Sequence, residues 1–239
     1  MAKPIIITGK ELQELKNNNY EVFAKFHPFV SKDPSDPHRM RIIVRGNVRI
    51  KGGGIPHGIE LAVESGSLEV IGNIGNNCSI SNFPQRGEEW RMDMKITVTG
   101  NVGDHVNMHA AAGAIEIRGE VKQSLKILSK GDFSAKKVGI HANIVSGYDY
   151  DTVTGNPVTN TSNINITESV GAGSKLKAGR DITVGDNIGR VCHLTANTIH
   201  FDTIKPPGKF TLIGADSDIY SPKPTPSGIK VERPGRGRG

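Results

Sequence analysis

Few residues of this chain stand at spacings that do chemistry. Asp104, His105 and His109 fall within six positions in GDHVNMHA. A metal centre needs three or four converging ligands, and His27, His38, His57, His141, His193 and His200 show no paired spacing, so no metal site and no cofactor are expected. Asp132, Glu168 and Asp186 are spaced so that carboxylates on neighbouring turns of a repeat could flank a glycosidic bond. That leaves a carbohydrate-active enzyme as an alternative. There is no Walker-type phosphate loop and no Gly-x-Ser-x-Gly elbow, no catalytic residue is assigned, and the reading leans away from an enzyme.

Recognition chemistry is better represented. The segment Asn82 to Met92 holds the only tryptophan, Trp90, beside Arg86, Arg91, Glu88 and Glu89, and Trp and Arg are typical interface anchors. The segment Ser146 to Ser162 holds Tyr148, Asp149, Tyr150 and Asp151 ahead of a Thr/Asn-rich stretch. These seven residues are the candidate partner-binding set: Arg86, Trp90, Arg91, Tyr148, Asp149, Tyr150 and Asp151. From Lys205 onward seven cations face three acids, which is +4 of the chain's formal +6. The ending PGRGRG puts Arg233, Arg236 and Arg238 in a tail suited to weak, salt-sensitive binding of nucleic acid or an anionic surface.

Both segments interrupt a repeat, and the repeat sets the fold. Ile96, Val98, Gly100, Val102, Val106 and Met108 recur nineteen positions later as Ile115, Ile117, Gly119, Val121, Leu125 and Ile127. Leu68, Val70, Gly72, Ile74, Cys78 and Ile80 fill every slot, and Ile42, Val44, Gly46 and Val48 fill the first four. Ile164, Ile166, Val170, Leu176 and Ile182, Val184, Ile188, Cys192, Leu194 keep the spacing but place Glu168 and Asp186 in the glycine slot; Phe133 with Ala135 and Ile199 with Phe201 open degenerate copies. Period-two alternation rich in Ile and Val means strands with one buried face. A period of 18 to 19 residues suits a coil of short strands and tight bends, which buries its apolar face only by stacking. The glycine slot is expected to serve bends that need positive φ or close backbone approach, and Asp186 fits a left-handed bend better than Glu168. An antiparallel sandwich is disfavoured because hairpin dipeptides are scarce.

The expected architecture is therefore all-β: a single-stranded parallel β-solenoid (β-helix) of about eight coils over residues 41–204, with insertions at 82–92 and 146–162. Residues 1–40 read as a cap and linker, with Thr8 and Glu11 forming a capping box for a short helix that carries Leu12 and Leu15 and ends near Asn17–Asn19. Residues 205–239 read as one irregular last strand and a disordered Pro/Gly/Arg-rich tail. Cys78 and Cys192 share one inward slot about five coils apart, roughly 24 Å at the sheet spacing, too far for a disulfide. They read as small buried hydrophobes. No run is long enough for a membrane span and Met1–Thr8 is too short for a signal peptide. The default expectation is a cytoplasmic protein, with export by a signal-peptide-independent route as the alternative.

The GNV of Gly46–Val48 and Gly100–Val102, the GNI of Gly72–Ile74 and the run LKAGRDITVGDNIG over Leu176–Gly189 resemble the short coils of bactofilins and of the solenoid part of flagellar assembly protein A. The last run also resembles the AGRDI-type repeats of filamentous haemagglutinins. The resemblance covers Ile42 to Leu194 and implies a bacterial, non-enzymatic scaffold or binding protein whose partner is another protein or itself. A secreted effector or adhesin is the alternative in another class. The helix before Arg41 and the two insertions depart from the bare ends and plain coils of polymer-forming solenoids.

Overall fold

The computed structural model describes residues 3–27, 29–32, 41–83, 94–111, 113–147, 161–213 and 218–233. Two long sheets, of ten and eleven strands, run side by side, and every pairing in them is parallel except one at the start of the second sheet. Successive strands of one sheet come from successive turns of the chain, so the fold is a parallel β-solenoid of about nine turns. A short third wall closes each turn. It begins with Gly54–Ile55 paired to Asn73–Ile74 and continues as single bridges through Val102, Val121, Val138, Val170 and Ile188.

Alternation places the template residues in vertical columns. One inward column of the second sheet runs Ile42, Leu61, Ile80, Met108, Ile127, Ile144, Leu176, Leu194 and Phe210; each is buried. The third-wall column from Ile55 to Ile204 is buried as well. No single turn encloses a core; the apolar side chains meet their partners one rung above and below.

The repeat carries details that the spacing alone misplaced. Ile42 and Val44 lie in the second sheet, while the residues equivalent to Ile96 and Val98 in the first are Val48 and Ile50. The first copy was thus out of phase by one strand, since both strands end their alternation on a tight bend. The Phe133 copy is a full rung, with Phe133, Ala135, Val138, Ala142 and Ile144 all buried. It lacks one residue before Val138, and the register slips between Ile117 and Glu120 to absorb the loss. The Ile199 rung is shortened the same way against Val184 and Asn187.

The glycine slot has two causes. Gly72 has φ +127°; Gly46, at +99°, stands at a different corner, between the second-sheet strand Arg41–Arg45 and the first-sheet strand Val48–Lys51. Gly119 is not left-handed, but a Cβ there would stand 2.5 Å from the Gly100 carbonyl oxygen of the preceding rung. Asp186 is not left-handed either, contrary to expectation; the close approach in its rung belongs to Gly185, whose Cβ would lie 2.2 Å from the Thr167 carbonyl oxygen. The bend that does require positive φ lies one corner later. Gly58, Asn77, His105, Ser124, His141, Gly173 and Val191 are all left-handed, each directly before the inward residue that opens the second-sheet strand.

Val191 is the strained member of that column, since a β-branched side chain crowds its own backbone at φ +57°. Its side chain is 55% exposed, so little burial offsets the strain. Replacement by Asn, the residue type at Asn77, is expected to stabilise the fold by about 1 kcal/mol, a rise of roughly 2–4 °C in Tm for a chain of this size. An unchanged or lowered midpoint in a calorimetric scan refutes the strain.

The N-terminal segment does more than precede the stack. Ile5–Thr8 pairs in parallel with Val48–Lys51 as the first strand of the first sheet. Thr8 then caps the helix Gly9–Lys16: its Oγ1 accepts from the Glu11 amide at 3.2 Å and its own amide donates to Glu11 Oε2 at 2.7 Å. A second helix, Tyr20–Phe26, was not anticipated; Asn19 caps it by accepting from the Glu21 amide. Leu12, Leu15 and Phe26 are buried in the core, and Val30–Lys32 pairs antiparallel with Arg41–Arg45. At the other end, residues beyond Ser221 were expected to be disordered, yet Ile229–Glu232 continues the second sheet in register with Gly208–Leu212.

Candidate functional site at the insertion corner

Both insertions leave from the same corner of the solenoid, between the end of a second-sheet strand and the start of a first-sheet strand. The first follows Ser79–Phe83 and returns before Ile96–Val98; the second follows Asn143–Ser146 and returns before Ile164–Ile166. The strands they follow are three register steps apart, through Asn107–Ala110 and Lys126–Ser129. At about 4.8 Å per rung the two roots stand on one edge roughly 14 Å apart. The two rungs between them turn the corner directly. Arg86, Trp90, Arg91, Tyr148, Asp149, Tyr150 and Asp151 lie outside the described residues, as do Arg236 and Arg238 of the tail. Arg233 is exposed, with its Nη2 4.0 Å from Asp218 Oδ1.

The interior at this corner is polar. Ser146 Oγ donates to the carbonyls of Gly131 and Asn163 at 2.9 and 3.1 Å, and Ser162 Oγ donates to the Lys130 carbonyl at 2.9 Å. Asn82, at the root of the first insertion, is fully buried with neither side-chain atom hydrogen-bonded.

Outside, the corner opens onto a groove of about 940 Å³ across the first rungs of the first sheet. Lys3, Arg49, Lys95 and Arg118 line it, together with Glu69 and Thr97. Arg49 Nε is 2.5 Å from Glu69 Oε2, and Arg118 Nε is 3.0 Å from Glu116 Oε1. The arginines are therefore oriented by acids, while Lys3 and Lys95 are exposed at the rim. These cations went unnoticed in the sequence because they come from four different rungs.

The residues considered for catalysis serve the frame. Asp132 Oδ1 accepts from the Asn163 amide at 2.7 Å at the corner entering the first sheet. Glu168 and Asp186 stand at the corner leaving it, joined rung to rung by the Asp186 amide on the Glu168 carbonyl at 3.0 Å. Glu168 meets Lys136 Nζ at 3.3 Å, and Asp186 accepts from Asn187 Nδ2 at 2.6 Å. Asp132 thus shares no corner with the other two. Asp104 Oδ1 accepts from the Gln123 amide at 3.2 Å, His105 sits in the left-handed column, and His109 lies in register between Ser81 and Leu128. Burial, with Lys126 nearby, pushes the His109 pKa down. Among the described residues no three His, Cys, Asp or Glu gather where they could hold a metal.

Cys78 and Cys192 occupy one column, five rungs apart, both free and buried. Their thiols donate to the carbonyls of Pro56 and Gly171 at 3.1 and 3.2 Å, and burial raises both pKa values. The thiolate is thereby disfavoured. Among the described residues no helix is long and apolar enough to cross a membrane.

Fold and site together define the chain as a parallel β-solenoid with two insertions rooted on one edge. Comparison with protein-family models, with curated proteins and with solved structures finds no match.

Proposed function

We propose that this solenoid is a bacterial, non-enzymatic scaffold that recognises a partner protein through its two insertions. The observation that carries the reading is their common corner: the two excursions from a regular stack are rooted three rungs apart on one edge. Insertions on one side of a repeat stack are where recognition tends to sit, because the rungs hold their roots while the loops vary. The basic groove beside the first root suits a partner with acidic side chains. The N-terminal end argues against head-to-tail stacking, since two helices and the antiparallel Val30–Lys32 strand cover the edge that another copy's rung would extend.

The test is deletion. Ile96–Val98 pairs with Leu68–Val70 on one side and Ile115–Ile117 on the other, so the rung does not need the insertion to find its register. Replacing residues 84–93, or 148–160, with a short Gly/Ser bend is expected to leave the strand spectrum and Tm nearly unchanged. Each deletion is expected to abolish co-purification of a partner that the intact chain retains from its own cells. A deletion variant that fails to fold, or that keeps the partner, overturns this reading.

A further inference from the structure

The outward residues of the second sheet sort by charge along the stack. In the first rungs the signs are mixed: Arg45 Nε is 2.5 Å from Glu64 Oε2, and Arg41 is in register with Glu60. From Lys126 onward the outward register reads Lys126, Asn143, Lys175, His193, Lys209 and Lys230. Lys177 projects from the same side two positions after Lys175. The one acid in these six strands is Glu232, and it is shared by Lys209 at 2.6 Å and Lys230 at 2.8 Å. Those two ammonium groups hold its pKa at about 2.

Five register steps at about 4.8 Å make a row roughly 24 Å long. Only Lys209 and Lys230 stand directly opposite, where Glu232 offsets their repulsion, and Asn143 and His193 separate the other lysines, so the row keeps one sign of charge at little cost to the fold. We infer that this face binds the phosphate backbone of duplex nucleic acid without reading its bases. Lysine offers a compact point charge, and these strands carry neither an arginine fork for bidentate base contacts nor an outward Phe, Tyr or Trp for stacking; their one outward ring is the imidazole of His193. A bilayer would call for several exposed apolar anchors, whereas the outward apolar side chains Leu128 and Val145 are half-buried and Val231, on the last strand, is the one exposed apolar residue of these six strands. Lysines recurring along one face match the regularly spaced phosphates of a stiff rod. The surface is distinct from the insertion corner, so it does not depend on the partner-binding reading.

The experiment compares the full chain with two double variants of equal charge change. Lys126→Glu/Lys175→Glu alters the row; Lys51→Glu/Lys122→Glu alters exposed lysines on the other walls. Binding of a short mixed-sequence duplex DNA is followed by fluorescence anisotropy across a salt series, and binding of vesicles with and without anionic lipid by sedimentation. The row variant is expected to fold normally, lose about ten-fold in affinity at low salt, and lower the slope of log K against log salt by about 1.8, the release expected from two phosphate contacts. The control pair is expected to change affinity several-fold less. Equal losses from the two pairs overturn the inference, as does loss of binding in Arg236→Ser/Arg238→Ser alone, which would place the attraction in the tail. Row-dependent binding of anionic vesicles without duplex binding also overturns it, in favour of a membrane surface.

Discussion

Val121→Asp is expected to cost several kcal/mol, and Lys122→Asp, one position away, no more than about 0.5 kcal/mol. Val121 is 2% exposed and bridges Val102 below and Val138 above in the third-wall column, where an aspartate meets only aliphatic neighbours. Burying a carboxylate there without a cation or donor either unfolds the rung or forces the group to stay protonated. Lys122 is exposed, and its contribution to the stack is the backbone amide that donates to the Val102 carbonyl at 2.9 Å, which an aspartate keeps. Against a total stability of roughly 5–15 kcal/mol, the first substitution removes a large share and the second a negligible one. A solenoid is close to one-dimensional in its energetics, so the loss should appear as a broadened transition as well as a lower midpoint. Urea titrations followed by far-UV circular dichroism measure both. Equal midpoints for the two variants contradict the inward assignment of Val121 and with it the register of the wall.

The fold was legible because its cause is periodic. Each strand must turn one face to the stack, so Ile and Val recur at spacings that a reader can superpose, and the coil period follows. Legibility failed where the periodic cause is shared or broken. Ile42 and Val44 obey the same alternation as Val48 and Ile50, so only pairing partners tell which wall each belongs to. One missing residue before Val138 hides a complete rung from a fixed-spacing template, although the backbone absorbs it by a register slip. The left-handed column escaped notice because Asn77, His105, Ser124, His141 and Val191 have no chemistry in common; what they share is a corner. Charge was obscured for a related reason. Lys126 and Lys175 are lost in a nearly neutral count over the body, which averages across walls that the fold keeps apart, while Lys209 and Lys230 were counted with the tail that the fold adds to the same sheet. The insertions stood out as breaks in the period, but their common root was visible only once the rungs between them were counted in space.

Gly46, at the corner entering the first sheet, and Gly119, at the corner leaving it, are required for opposite reasons, and substitution by Asn separates them. Gly46 has φ +99°, and the nearest atom to a Cβ added there would be Ile5 Cδ1 at 4.0 Å, so its constraint is conformational. Asn tolerates left-handed backbone better than most residues, and Gly46→Asn is expected to cost about 1–2 kcal/mol. Gly119 has the reverse problem. A Cβ there would lie 2.5 Å from the Gly100 carbonyl oxygen and 2.3 Å from Asn101 Oδ1. The Asn101 side chain cannot swing aside freely, because its Oδ1 accepts from the Glu120 amide at 2.8 Å. Gly119→Ala and Gly119→Asn are therefore both expected to cost about 3 kcal/mol, the upper range of overpacking, since two rungs must separate to admit one carbon. Removing the movable obstacle does not relieve the fixed one. Asn101→Ala alone should cost about 1 kcal/mol for its hydrogen bond, and in combination it should leave most of the Gly119→Ala penalty in place, because the Gly100 carbonyl belongs to the backbone. Full rescue by Asn101→Ala, or a Gly119→Asn variant as stable as Gly46→Asn, would show that close approach does not hold Gly119 and that the rungs do not touch at its corner.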